Sequence, residues 1–415
     1  MAIDELVVGL DIGTTKVCAV IGERNESGLL EITGVGTCPS TGLRKGVVVN
    51  IEATLRAVSA AIEAAEMMSG REVHSCWTGI GGSHIDGINS RGVVAVTGKN
   101  REIGPEDISR VLEAARAVVI PMDRQELEVI PQSYIVDDQK GIRDPMNMIG
   151  VRLEAEVHII TCSVTSAQNL IKCVNRAGFR VNDLVLQSLA AGRAVLTAEE
   201  KELGVALIDL GGGTTDVLVY SDGTPYSTTT IPAGGGQVTS DISILKSISF
   251  ETAERIKIDA GCCWEDLLEG DEEIIVPGVG GRPPLPIPKS QILAIIRPRM
   301  EEIFKMVKEK LDKLSLHRPL GGGIVLTGGG AHLLGAVELA DQIFRLPVRV
   351  GVPLPVGGLV EEYRNPIYAT AVGLVLEGAD RERKKGPEWG GDNLREKGQS
   401  SFFGKLADWL RKEFF

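Results

Sequence analysis

The chain has 415 residues, more than one ordinary hydrophobic core holds, and its 43% hydrophobic and 24% charged residues are the balance of a folded multidomain protein. A formal net charge of -12, with no long Lys/Arg stripe, argues against nucleic acid as a partner, because phosphate backbones are met by basic faces. Seven scattered cysteines without CxxC spacing and five histidines in no ligand group argue against a disulfide framework or a zinc centre and for a reducing, cytoplasmic compartment.

The chain opens on acidic residues and a short apolar run, the wrong charge and length for a secretory signal, and no apolar stretch reaches the roughly 20 residues of a spanning helix. Leu6–Leu10 (LVVGL), Asp11–Thr15 (DIGTT) and Val17–Ile21 (VCAVI) spell strand, glycine turn, strand. Asn50–Met68 carries Leu55, Val58, Ile62 and Ala65 at helical spacing behind Asn50, a capping residue, and predicts a helix packed on the first sheet. From Ser83 to Cys162 a hairpin-like stretch (SHIDGINSRGVVAV), a helix over Pro105–Val118, polar turns around Asp137–Pro145 and a strand at Glu156–Thr161 read as a small α/β subdomain inserted into the first half. Ser166–Ala177 and Gln187–Leu196 read as helices.

The opening pattern then recurs: Val205–Leu210 (VALIDL), Gly211–Asp216 (GGGTTD), Val217–Tyr220 (VLVY). Such a repeat implies two halves of similar topology. Ile231–Pro319 is a second insertion, helices around a Gly/Pro-rich loop at Val276–Pro288. A third glycine cluster, Thr327–Gly330, follows the strand Gly323–Leu326 and precedes a helix. Ala379–Gln399 is charged and aperiodic, the composition of a flexible linker. In Ser401–Phe415 the residues Phe402, Phe403, Leu406, Trp409, Leu410 and Phe414 fall within an arc of about 140° at 100° per residue. Lys405, Arg411 and Lys412 flank that arc. This is the pattern of a helix lying in an anionic membrane surface, with Glu413 departing from it.

The two Asp-led loops share one logic. A glycine turn lets backbone N–H groups approach phosphate oxygens, Thr14, Thr15, Lys16, Thr214 and Thr215 add donors, and the Asp that ends each strand, Asp11 or Asp209, can hold Mg²⁺ through water. Neither loop is a Walker A or a Rossmann turn, since GxxxxGK[ST] is absent and a strand follows the glycines. Gly328, Gly329 and Gly330 would let the backbone pass close to an adenosine, and the N-terminus of the helix after them would face the phosphates. Glu254 and Lys257 share a helical face and either reach the ribose or base or form a surface ion pair.

DIGTTK, DLGGGTTD and TGGGA, in this order, resemble the phosphate-1, phosphate-2 and adenosine motifs of the actin, sugar kinase and Hsp70 superfamily. GGSHIDGINSRGVVAV, VRLEAEVHIIT, VPGVGGRPP, GIVLTGGGA, NPIYATAVGL and the amphipathic end extend a resemblance to the bacterial cell-division family FtsA along essentially the whole chain.

The resemblance implies an actin-like, two-lobed α/β fold with a duplicated core. Its layout would be a first core subdomain (1–82, 166–196, 357–378), a family-specific insertion (83–165), a second core subdomain (197–230, 320–356), a second insertion (231–319), a linker (379–399) and a membrane helix (400–415). It implies ATP and Mg as cofactors, with Asp11, Gly13, Thr14, Thr15 and Lys16, then Gly211, Gly212, Gly213, Thr214, Thr215 and Asp216 on the phosphates. Asp11 and Asp209 hold the metal. Gln187 and Asp209 stand near the attacking water, though Gln187 equally fits a helix start without a catalytic role.

The implied activity is assembly rather than metabolism: self-association into filaments, binding of the FtsZ C-terminal peptide, contact with other division proteins through 83–165, and hydrolysis that is slow at most. For the FtsZ peptide, Arg282, Lys289, Arg297 and Arg299 are the cations on the second insertion. A small-molecule kinase of the same fold, with Asp209 or Asp216 as general base, is the competing reading, and the amphipathic end separates the two.

Overall fold

The computed structural model describes residues 6–385 apart from 26, 269, 271, 278–282, 317 and 359; the amphipathic end and most of the segment read as a linker lie outside them. β1 (Leu6–Ile12) and β2 (Lys16–Arg24) form the expected hairpin, in register from Leu6↔Glu23 to Ile12↔Val17. β3 (Leu30–Pro39) adds to β2. A short pair, β4 (Leu43–Arg44) and β5 (Val47–Val48), leads into α1 (Ile51–Ser69). Asn50 Oδ1 accepts the Ala53 N–H at 3.0 Å, which satisfies one of the first-turn donors that a helix leaves unpaired. The Ala57, Val58, Ala61, Ile62 and Ala65 face is buried on the sheet. Gly36 permits the contact, since a Cβ there would stand 2.1 Å from the Ala61 carbonyl.

β6 (Ser75–Ile80) then runs parallel to β1, and the chain leaves for the insertion: β7 (Asp86–Ala95), α2 (Pro105–Arg116), β8 (Arg124–Val136), β9 (Gln139–Ile142) and β10 (Arg152–Ser163). Its sheet has the order β7-β10-β8-β9. SHIDGINSRGVVAV does not fold back on itself. Asp86–Ala95 is one strand paired along its length with β10, from Asp86↔Thr161 to Ala95↔Arg152. Its glycines serve close approach rather than a turn, since a Cβ on Gly92 would stand 2.3 Å from the Val111 carbonyl of α2.

α3 (Val164–Arg176) returns the chain to β11 (Arg180–Leu186), parallel to β6, and α4 (Gln187–Val195) and α5 (Ala198–Leu203) lead into the second half. That half repeats the plan with β12 (Val205–Leu210), β13 (Thr215–Ser221) and β14 (Thr224–Ile231). After α6 (Gly235–Lys246) and α7 (Phe250–Ala260), β15 (Glu273–Val276) and β16 (Leu285–Pro288) pair as a ribbon, so the flanks of the expected Gly/Pro loop are strands. Prolines are tolerated in such a two-stranded ribbon because its edges need no further partner. α8 (Lys289–Asp312), β17 (Ile324–Thr327), α9 (Ala336–Phe344) and β18 (Val348–Val350) follow.

The two main sheets have the orders β11-β6-β1-β2-β3 and β14-β13-β12-β17-β18. Each is an antiparallel meander of three strands extended by two parallel strands from its first, so the halves share one topology. Between them lie α4 and α10 (Ala369–Lys385). Gly373 lets these helices touch, since a Cβ there would stand 1.8 Å from the Ala190 carbonyl. α10 continues beyond the expected linker boundary, so 379–385 is helix. Arg381 holds it there, with Glu377 at 2.8 Å, Glu128 at 2.9 Å and Asp183 at 3.0 Å. An i,i+4 Glu–Arg pair supports helix where composition alone suggests a loop.

Candidate functional site

The turns after β1 and β12 face each other. Each is closed by the same bond, Gly13 N–H to the Lys16 carbonyl at 2.9 Å and Gly211 N–H to the Thr214 carbonyl at 3.0 Å. A Cβ on Gly212 would stand 2.4 Å from Thr15 Cγ2, and one on Gly213 2.6 Å from Thr14 Oγ1. The threonines of one loop thus occupy the space that the glycines of the other leave. Around them lies a cavity of about 910 Å³, within the range of cofactor sites. It is lined by Asp11, Gly13, Thr14, Thr15, Lys16, Gln187, Asp209, Gly211, Gly212, Gly213, Thr214, Asp216, Glu254, Lys257, Gly328, Gly329 and Gly330. Thr215 is the exception among the expected donors: its side chain is buried and donates to the Ala233 carbonyl at 2.8 Å.

Three carboxylates converge at the back of the cleft. Asp11 accepts from Gln187 Nε2 at 2.7 Å, Asp216 from Thr230 Oγ1 at 2.5 Å and Thr214 Oγ1 at 3.1 Å, and Asp209 from Thr370 Oγ1 at 3.3 Å. Burial, then the charges of Asp216 and Asp11, push the Asp209 carboxyl up to about 7, with Thr370 and Lys16 offsetting in part. Burial likewise raises Asp11 and Asp216. Lys16 Nζ donates to the Ile367 carbonyl at 2.5 Å and lies 4.7 Å from the centre of the Tyr368 ring. Among the described residues no three His, Cys, Asp or Glu side chains stand close enough to ligate one metal ion directly.

On the adenosine side, Gly328 has φ 77 and no room for a side chain, since a Cβ would stand 2.1 Å from Asp209 Oδ1. Gly329 faces open space, the nearest atom being Ile367 Cγ2 at 3.9 Å. A four-residue 3₁₀ turn, Gly329–His332, separates this cluster from α9, so the helix N-terminus expected to face the phosphates begins only at Ala336. Lys257 and Glu254 do pair, at 2.7 Å, and the pair faces the cavity. Lys257 also donates to Thr239 Oγ1 at 3.0 Å and the Gly235 carbonyl at 3.2 Å.

Sequence reasoning missed Gly234 and Gly235, which also line the cavity. α6 starts against the second loop, with Gly235 N–H on the Gly211 carbonyl at 2.9 Å and Gly236 N–H on that of Gly212 at 2.7 Å. The run Gly234–Gly236 after a strand was the signal. Gly46, whose N–H donates to Thr14 Oγ1 at 3.3 Å, left no such signal.

Of the cations expected to meet a peptide, Lys289 pairs with Glu272 and lines the cavity. Arg297 bonds Glu301 at 3.1 Å and stacks 5.4 Å from the Trp264 ring centre. Arg299 bonds Asp241 at 2.7 Å and also pairs with Glu302. Arg282 and the apolar residues Phe402, Phe403, Leu406, Trp409, Leu410 and Phe414 lie outside the described residues. Among the described residues no helix is long and apolar enough to cross a membrane.

Residues 206–373 match the family model described as cell division protein FtsA, and residues 82–161 match that of the SHS2 domain inserted in FtsA. A cell division protein FtsA of Borreliella burgdorferi is 47% identical over 411 residues, 99% of each chain. One of Pseudomonas aeruginosa is 47% identical over 378 residues, 91% of this chain and 90% of the relative. Among solved structures, a chain of the PilM-PilN type IV pilus biogenesis complex superposes with TM-score 0.65 at 17% identity, covering 90% of this chain and 98% of its own. MreB 5 of Spiroplasma citri bound to AMPPNP gives 0.56 at 16% identity, covering 92% and 98%. At such identities these structures show the fold, which is actin-like.

Proposed function

This chain belongs to the FtsA family of cell division proteins, and on that premise we propose that its cleft binds ATP with magnesium and that the bound state governs its assembly into actin-like filaments on the cytoplasmic face of the cell membrane. There it anchors FtsZ filaments and helps to recruit later division proteins through the insertion at 83–165. The reading is carried by one observation, the facing glycine loops with three carboxylates behind them. The donor set fits magnesium: carboxyls whose pKa values burial raises gain from a divalent cation, and that ion commonly takes one or two carboxylates with water and phosphate completing its shell. Asp11 and Asp209 would hold it, and it would draw phosphate charge into the cleft. Gln187, tied to Asp11, can orient water but is no base, in keeping with hydrolysis that is slow at most.

The FtsZ C-terminal peptide docks on 231–319, where Lys289, Arg297 and Arg299 exchange their internal carboxylate partners for those of the peptide. Phe402, Phe403, Leu406, Trp409, Leu410 and Phe414 enter the bilayer surface, and filament formation multiplies that weak hold by presenting many tails at once. The test is co-sedimentation of the full chain with vesicles containing anionic lipid, in ATP and Mg²⁺, beside a version ending at Gln399, with electron microscopy of the pellet. The full chain is expected in the pellet as filaments and the shortened one in the supernatant; equal sedimentation overturns the anchor.

A further inference from the structure

The insertion leaves the first half from β6 and returns to it through β10 into α3, yet it is hydrogen-bonded to the second half. The contact runs along β14, the edge strand of the second sheet. Gln132 on β8 donates to the carbonyls of Pro225 at 3.0 Å and Tyr226 at 3.2 Å, and Asn89 on β7 donates from Nδ2 to the Tyr226 carbonyl at 3.1 Å. That last bond sets the orientation of the Asn89 amide, so its Oδ1 is the acceptor turned toward His158 Nδ1 at 2.6 Å. His158 therefore carries its proton on Nδ1, and Nε2 accepts from Thr228 Oγ1 at 2.9 Å. The ring is 1% exposed, and burial lowers its pKa to about 4. The joint leaves no slack, since a Cβ on Gly87 would stand 2.5 Å from Thr228 Oγ1 and 2.7 Å from His158 Cε1.

Two residues along β14, on the same face of the strand, Thr230 donates to Asp216 in the cleft at 2.5 Å. The β13–β14 register pairs Asp216 with Thr230 and Leu218 with Thr228 without a bulge between them. One strand face thus offers one hydroxyl to the cleft and the next to the insertion.

We propose that β14 transmits the state of the cleft to the inserted subdomain. Thr230 is a positioning residue for Asp216, and the Thr228–His158 bond makes the insertion follow the strand. The inference rests on the reading of the cleft as an ATP and magnesium site and names the element by which occupancy reaches the insertion. A ligand that changes the charge facing Asp216 changes what Asp216 asks of Thr230. A paired strand does not shift one hydroxyl without the other, so His158 and the β7–β10 sheet move with it.

The test uses the full chain, with hydrogen exchange of the β7 and β8 peptides followed by mass spectrometry with and without ATP and Mg²⁺, and ATP affinity by calorimetry. The parent is expected to bind ATP and to change exchange at both strands. Thr228→Val, which keeps shape and strand propensity but removes the hydroxyl, is expected to bind ATP as the parent does while the response at β7 and β8 falls about fivefold, within the usual range of coupling. Thr230→Val should lose the response as well and Thr230→Ser should restore it, a recovery that packing alone would not produce. A parent-sized response in a Thr228→Val chain that binds ATP overturns the proposal, as does a parent that binds ATP without any change at the insertion. A parent that binds no ATP removes the reading of the cleft itself, and the signal with it.

Discussion

The first and second halves fold to one strand order, but their loops are chemically unlike. Hairpin register aligns them residue by residue: Asp11 lies opposite Cys18 and Asp209 opposite Asp216. The first loop therefore carries one carboxylate with Lys16 in its turn, and the second carries two with no cation of its own. Where the first loop has Thr14 and Thr15, the second has Gly212 and Gly213, and each pair fits only against the other. The duplicated fold supplies two similar frames. The difference between them places bulk and donors on one side of the cleft and negative charge on the other.

Making the loops alike should have the largest effect. Gly212→Thr copies the first loop into the second and brings threonine against Thr15; calorimetry is expected to show ATP affinity lower by about 100-fold, roughly 3 kcal/mol. Gly329→Val is the control, because its side chain meets open cleft rather than protein. Melting temperature should hold while ATP affinity falls; an unchanged affinity would show that no ligand passes there.

The charge asymmetry has a pH signature. The Asp209 carboxyl, raised to about 7 in the folded chain from an ordinary value near 4, contributes stability to the nucleotide-free protein that is full below about pH 4 and is lost as pH rises through about 7. Asp209→Asn should flatten that decline in thermal melts. Binding of Mg²⁺ and ATP at pH 6 should release a proton from the parent that the variant does not release, read by calorimetry in buffers of different ionisation enthalpy. Equal release would place the proton elsewhere.

The smallest effect concerns how the helices begin. α1 is capped by the side chain of Asn50, whereas α6 starts against the second loop on Gly234, which has no side chain of its own and whose N–H is held by Gln237 Oε1 at 2.8 Å. Asn50→Ala should cost about 1 kcal/mol in urea unfolding and leave ATP affinity alone, because that end of α1 does not line the cavity.

The duplication and the loops were legible because they depend on local pattern: apolar alternation, Asp at a strand end, glycine in a turn. Glycines misled where their role was tertiary. Gly87 and Gly92 suggested a turn in what is a straight strand, since their purpose is to admit Thr228 and α2. Thr215 matched a motif position, yet strand alternation turns it away from the cleft toward Ala233. The first turns of the supposed linker are helical because Glu128 and Asp183, distant in sequence, hold Arg381 in place. Composition cannot show a partner that only folding brings near.

The same arginine decides how the body would bear a load. A pull on the chain beyond Lys385 enters through α10, which lies against β1 and α4 with Ala371, Leu374, Val375 and Ala379 buried. A pull along the helix axis would load these contacts together rather than peel them one after another. Arg381 grips Asp183 of the first sheet and Glu128 of the insertion, so traction is divided between lobe and insertion at the point of entry. The cleft stands at the far end of that helix, where Thr370 donates to Asp209 at 3.3 Å.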